Sequence, residues 1–208
     1  MRNAEATKER ILEAALSEFS AHGIAGARVD RIAQAARCNK NLIYIYFEDK
    51  ETLFATVLRK HLMRIHEEQP FTPDDLSGYA AKVFDWAMAN PDLMRLMAWS
   101  ALEQKAKDKA ERVAVLEGKV AALTEAQKAG RVGTAFPPDF LLIAVMSLAT
   151  AWSVASPFGP SVNSRAADRP AALRERLVEA VRLLAGPGKG TRSRGRNKER
   201  QAAVPGVR

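Results

Sequence analysis

A single cysteine, Cys38, stands in 208 residues, which excludes an intrachain disulfide and predicts a reducing, cytoplasmic setting. The three histidines, His22, His61 and His66, form no metal set. His61 and His66 are five apart, whereas two imidazoles share a helical face at a spacing of three or four, and no acid or thiol cluster completes a site. No nucleophile–base pair or paired carboxylates stand out, so no enzyme is expected and no cofactor is implied. No apolar run is long enough to span a bilayer. The longest, "FLLIAVMSLATAWSVA" at 140–155, carries Ser147, Thr150 and Ser153 and reads as a buried helix. The start, "MRNAEATKERILEAAL", holds acidic residues and no apolar core, so it predicts no secretory signal.

Alanine and leucine dominate the 47% hydrophobic content. Scarce β-branched residues favour an all-α fold. The net charge of +8 is unevenly placed, because Lys189, Arg192, Arg194, Arg196, Lys198, Arg200 and Arg208 face only Glu199 beyond residue 186. Six of the eight charges therefore sit in that tail. Four stretches follow: short helices over 1–48, a connecting helix over 49–67, longer amphipathic helices over 68–185, and a basic Gly/Pro-rich tail over 186–208. The tail composition predicts disorder, with weak attraction to DNA backbone as a lesser alternative. Its "GPGKGT" is not a phosphate loop, since Gly190 follows the lysine and no strand precedes it.

In the first helix Ile11, Ala15 and Phe19 recur one turn apart, and Gly23 reads as its left-handed end. The stretch "CNKNLIYIYFEDKE" (38–51) looks strand-like by propensity. An isolated strand would leave its ladder unpaired, however, and no partner strand exists. As a helix it brings Ile43, Tyr46 and Phe47 onto an inner face and Lys40, Asn41 and Tyr44 onto an outer one. Asn39 and Asp49 are suitable caps for the helices at 39–47 and 49–67. With a second helix at 29–36 and a tight turn at Arg37, the spacing predicts a helix-turn-helix, closed by Ile32, Ala33, Ala36, Cys38, Ile43 and Tyr46. Cys38 is expected as a small buried residue. Lys40 and Asn41 at the start of the third helix suit contact with base edges.

The segments "ERILEAALSEFSAHG" and "VDRIAQAARCNKNLIYIYFEDKETLF" resemble the TetR family of bacterial transcriptional regulators. The resemblance implies an N-terminal helix-turn-helix domain and a C-terminal helical domain for ligand binding and dimerisation. It also implies a homodimer on a palindromic double-stranded DNA operator, most often as a repressor. Tyr44 and Lys50 match residues that the family places on phosphates. Arg28 stands where a capping threonine is common, Arg37 where glycine is usual, Asn39 for serine and Asn41 for glycine. Arg37 is therefore expected at positive φ. DNA contact is expected from Arg28, Lys40, Asn41, Tyr44 and Lys50; Arg31 is left between a phosphate and a nearby acid. The alternative is a helical small-molecule-binding protein or adaptor with a non-functional DNA head.

Beyond residue 67, helices are expected at 76–90, 91–105, 108–129, 138–155 and 170–185, three of them opening on Pro91, Pro138 and Pro170. Phe84, Trp86, Met97, Trp99 and Trp152 are candidates for lining a pocket for an apolar or aromatic effector, and equally for ordinary packing. Leu141 and Leu148, with Leu173, Leu177, Val181 and Leu184, form stripes on the last two long helices. Such stripes pack inside one chain or between two chains; the family resemblance favours an intersubunit four-helix bundle.

Overall fold

The computed structural model describes residues 2–103, 109–162, 165 and 168–186. The basic tail after Gly186 lies outside them, as do the helix ends expected at 105 and 108. Among the described residues all regular structure is helical, and no helix is long and apolar enough to cross a membrane. The order is α1 (Arg2–Gly26), α2 (Val29–Ala35), α3 (Lys40–Phe47), α4 (Lys50–Glu68), a 3-10 turn (Pro73–Asp75), α5 (Leu76–Ala89), α6 (Pro91–Glu103), α7 (Lys109–Lys128), α8 (Pro138–Thr150), the short α9 (Gly159–Val162) and α10 (Pro170–Ala185).

Local chemistry explains most of these limits. Asp49 accepts from the Thr52 N–H at 2.5 Å and Asp75 from the Gly78 N–H at 2.8 Å, so each carboxylate satisfies a donor at the open start of a helix. Pro138 and Pro170 occupy first-turn positions of α8 and α10. Helix α8 stops at Thr150 rather than at 155. Pro157 disfavours helical backbone at the residue before it, and residues 151–157 pass into turns.

Two apolar cores result. The first joins Ile11, Ala15 and Phe19 of α1 to α2, α3 and α4, and is completed by Leu93 and Leu96 of α6. Phe19 and Phe54 meet edge to face at 5.2 Å, fixing α1 against α4. The second core packs α5, α7, α8 and α10 around Phe84, Leu123, Leu141, Val145 and Val181. Beside it, the Lys119 ammonium reaches the Tyr79 hydroxyl at 2.8 Å and lies over the Phe71 ring. Burial pushes the Tyr79 phenol up to about 12 and holds Lys119 below its usual range.

Within the first core, α1 is broken where α6 packs against it. Gly23 has φ 66 and ψ −176, a region essentially confined to glycine, and the chain then turns helically again through Gly26. In an unbroken helix the Ile24 N–H would donate to the Ser20 carbonyl. Here both groups are engaged from α6: Glu103 Oε1 accepts from the Ile24 N–H at 3.0 Å, and the Trp99 indole N–H donates to the Ser20 carbonyl at 3.2 Å. A Cβ at position 23 would lie 2.5 Å from Glu103 Oε1 and 2.9 Å from the Trp99 ring. Gly23→Ala therefore combines backbone strain with a clash. It should lower stability by about 2–4 kcal/mol in denaturant unfolding; an unchanged midpoint would mean that the joint tolerates a side chain.

Candidate nucleic-acid interface

The turn between α2 and α3 is a Schellman motif. The Cys38 N–H reaches the Ala33 carbonyl at 3.0 Å and the Arg37 N–H reaches Gln34 at 3.1 Å. Arg37 takes the left-handed position that usually holds glycine, at φ 52, as expected from the sequence. Ile32, Ala33, Ala36 and Ile43 are buried and close the angle between the helices, with Cys38 and Tyr46 packed at the edge. Burial pushes the Cys38 thiol up in spite of the nearby Arg10 charge, which fits a small unreactive residue.

Asn39 caps α3 by accepting from the Asn41 N–H at 2.9 Å. Ile43 and Phe47 then point inward, and Lys40, Asn41 and Tyr44 outward, as the helical spacing predicts. A fourth residue, Ile45, shares the outer face and was not assigned a role from the sequence. The helix ends at Glu48, whose φ of 65 is a second positive value at a non-glycine residue.

The remaining expected contacts have partners of their own. The Lys40 ammonium pairs with Asp30 of α2 at 2.8 Å, and this hydrogen bond and charge hold its pKa above the usual lysine value. Arg28 is exposed and makes no side-chain cap, but its N–H donates to Glu18 of α1 at 2.9 Å. Arg31 pairs with the same carboxylate at 2.6 Å, so of its two open partners the acid is the one met here. Burial acts to raise the Glu18 pKa, but the hydrogen bonds from Arg31 and the Arg28 N–H and the nearby positive charges outweigh it and hold the carboxyl below its usual range. Helical spacing places Glu18 on the water-facing side of α1, but it is largely covered and positions Arg28 and Arg31; it lies ten residues from Arg28, beyond any local capping pattern. The Lys50 ammonium donates to the Ala27 carbonyl at 3.2 Å and ties the start of α4 to the turn before α2.

The five aromatic and Met candidates do not converge. Phe84 is buried in the second core and Trp152 packs on its edge, whereas Trp86 and Met97 pack on the first core and Trp99 covers Gly23. Of the stripes expected at a subunit seam, Leu141, Leu173, Leu177 and Val181 are buried within the chain, whereas Leu148 and Leu184 are half-buried. Exposed apolar residues of the body include Phe140 and Ile143 of α8, Phe158 and Val162 around α9, and Leu183 of α10, with Val113 and Leu116 of α7 and Val154 exposed as well. Leu148 and Leu184, with Phe140 and Phe158, line an apolar recess of about 710 Å³ beside them. Among the described residues no three His, Cys, Asp or Glu side chains are grouped to hold a metal ion.

A family model described as "Bacterial regulatory proteins, tetR family" matches residues 11–57, and one described as "Tetracyclin repressor-like, C-terminal domain" matches residues 75–182. The HTH-type transcriptional repressor SCO4008 of Streptomyces coelicolor is 43% identical over 159 residues, spanning 75% of this chain and 82% of the relative. The HTH-type transcriptional repressor NicS of Pseudomonas putida is 30% identical over 108 residues, 49% of this chain and 51% of the relative. The solved structure of SCO4942, a candidate transcriptional regulator of Streptomyces coelicolor, matches with a TM-score of 0.77 at 39% identity, covering 86% of this chain and 98% of that one. With the reading head and the helical body each matched, and one relative matched over most of its length, the chain belongs to the TetR family and is a DNA-binding transcriptional regulator.

Proposed function

We propose that the protein is a ligand-responsive homodimeric repressor of a palindromic operator. The observation that carries this reading is the outer face of α3, which presents Lys40, Asn41 and Tyr44 to solvent from a helix whose inner face is buried. Asn41 would pair with adenine through its amide and Lys40 with guanine O6 and N7. Tyr44, Arg28 and Lys50 would hold phosphates, the last through donors left over from its bond to Ala27. Two such heads about one DNA turn apart, ~34–36 Å, match successive major grooves. Repression, rather than activation, is supported by the naming of SCO4008 and NicS as repressors.

Pairing of two copies would use the exposed face of Phe140, Ile143, Phe158, Val162 and Leu183, because Leu141, Leu173, Leu177 and Val181 are already covered. The recess beside it then belongs to the seam between subunits. The effector, an apolar or aromatic molecule, would enter the body among α5 to α8. By favouring the spacing that fits DNA poorly it would weaken operator binding ~5- to 150-fold. Displacement of α4 is one route to the heads. Helix α6 is a second, because Leu93 and Leu96 lie in the head core and Trp99 and Glu103 grip α1.

Selection of bound duplexes from random DNA should enrich an inverted repeat; failure of any sequence to rise above bulk would overturn the assignment. On the enriched duplex, Asn41→Ala should relax preference at one base pair per half-site, a loss of ~1–3 kcal/mol. Asp30→Asn frees Lys40 from its internal partner, and should tighten binding at low salt with a shrinking advantage as salt rises. Weaker binding by that variant would mean that the pair orders the head for contact. Ile143→Glu should give a folded monomer in sedimentation; a persistent dimer would place the seam elsewhere.

A further inference from the structure

Helix α3 holds one large side chain that neither the fold nor the contacts assigned above use. Ile45 is 71% exposed, while Ile43 and Phe47 on either side of it are 1% and 2% exposed. The inner face is thus complete without Ile45. The exposed apolar face of α8, α9 and α10 lies in the other core's helices, so a subunit seam there gives Ile45 no cover. Position 45 is one helical turn beyond Asn41 on the same stripe, ~6 Å along the axis. It also adjoins Tyr44, itself 44% exposed.

We propose that Ile45 is a base-reading residue that selects a thymine through its C5 methyl group. The inference rests on the reading above that α3 enters the major groove. There the thymine methyl is the one apolar group that a base edge displays, and an aliphatic side chain is its natural complement. A β-branched isoleucine is held near one χ1 value in a helix, so little freedom is lost on docking. Lys40 and Asn41 read hydrogen-bonding patterns at the start of the helix, and Ile45 reads shape and apolarity one turn later. At ~3.4 Å per base step, the selected thymine lies about two steps from the pair read by Asn41. In an inverted repeat it occurs once in each half-site.

The test uses the full chain and the duplex enriched from random DNA. Each thymine is replaced in turn by deoxyuridine, symmetrically in both half-sites, which removes the methyl group and nothing else. One position should weaken binding by about fourfold per half-site, the value of one buried methylene-sized group. Ile45→Ala, an exposed change that leaves thermal unfolding in place, should bind thymine and uracil equally at that position while keeping the wild-type response elsewhere. If Ile45→Ala still discriminates thymine from uracil there, or if wild type discriminates nowhere, the assignment of Ile45 is overturned while the operator reading stands. If no duplex is enriched, both fall.

Discussion

The arrangement depends on how one broken helical hydrogen bond is made good. At Gly23 the backbone leaves helical geometry, and the two groups that would pair across the break, the Ser20 carbonyl and the Ile24 N–H, each take a side chain from α6. A buried amide or carbonyl left without a partner costs about 1–3 kcal/mol, so the break persists because α6 supplies both halves. Glycine at 23 supplies the torsion and also the space in which Trp99 and Glu103 approach. Beyond it Arg28 runs extended into α2.

One consequence is that the reading head does not end where the recognition motif ends. Leu93 and Leu96 complete the core begun by Ile11, Phe19, Ile43 and Phe54, so α6 packs as part of the head although it follows the connecting helix in sequence. The second core, around α5, α7, α8 and α10, forms the body. Along α6, Trp86 Nε1 of the neighbouring α5, Ser100 Oγ and Glu103 Oε2 are buried and have no hydrogen-bond partner among the described residues.

Features governed by neighbours in sequence were legible before the structure. Helix rather than strand at 40–47, the cap at Asn39, the positive φ at Arg37 and the proline-opened helices all follow from interactions within a turn or two. Gly23 was legible as a break, but not as a joint, because Trp99 and Glu103 lie 79 residues away. The stripe of Leu173, Leu177 and Val181 declared a covered face without declaring what covers it; here the cover is the chain itself. Aromatic and Met residues at helical spacing likewise do not reveal which of two cores they join: Phe84 packs in the second core, whereas Trp86 and Met97 pack on the first. Ile45 escaped notice because an apolar residue is by default assigned inward, and only the filled inner face shows that it has no room there.

The contact between Lys40 and Asp30 has a further consequence for selectivity. In the free protein the ammonium already has an anionic partner 2.8 Å away, on a helix of the same rigid head. If Lys40 contacts a base as proposed, a nucleic acid displaces an internal partner there rather than meeting an idle cation. On that reading, a mismatched site, with fewer remaining contacts, would recover less from the exchange than a correct one. Asp30 would then act as a threshold that lowers adhesion to bulk DNA.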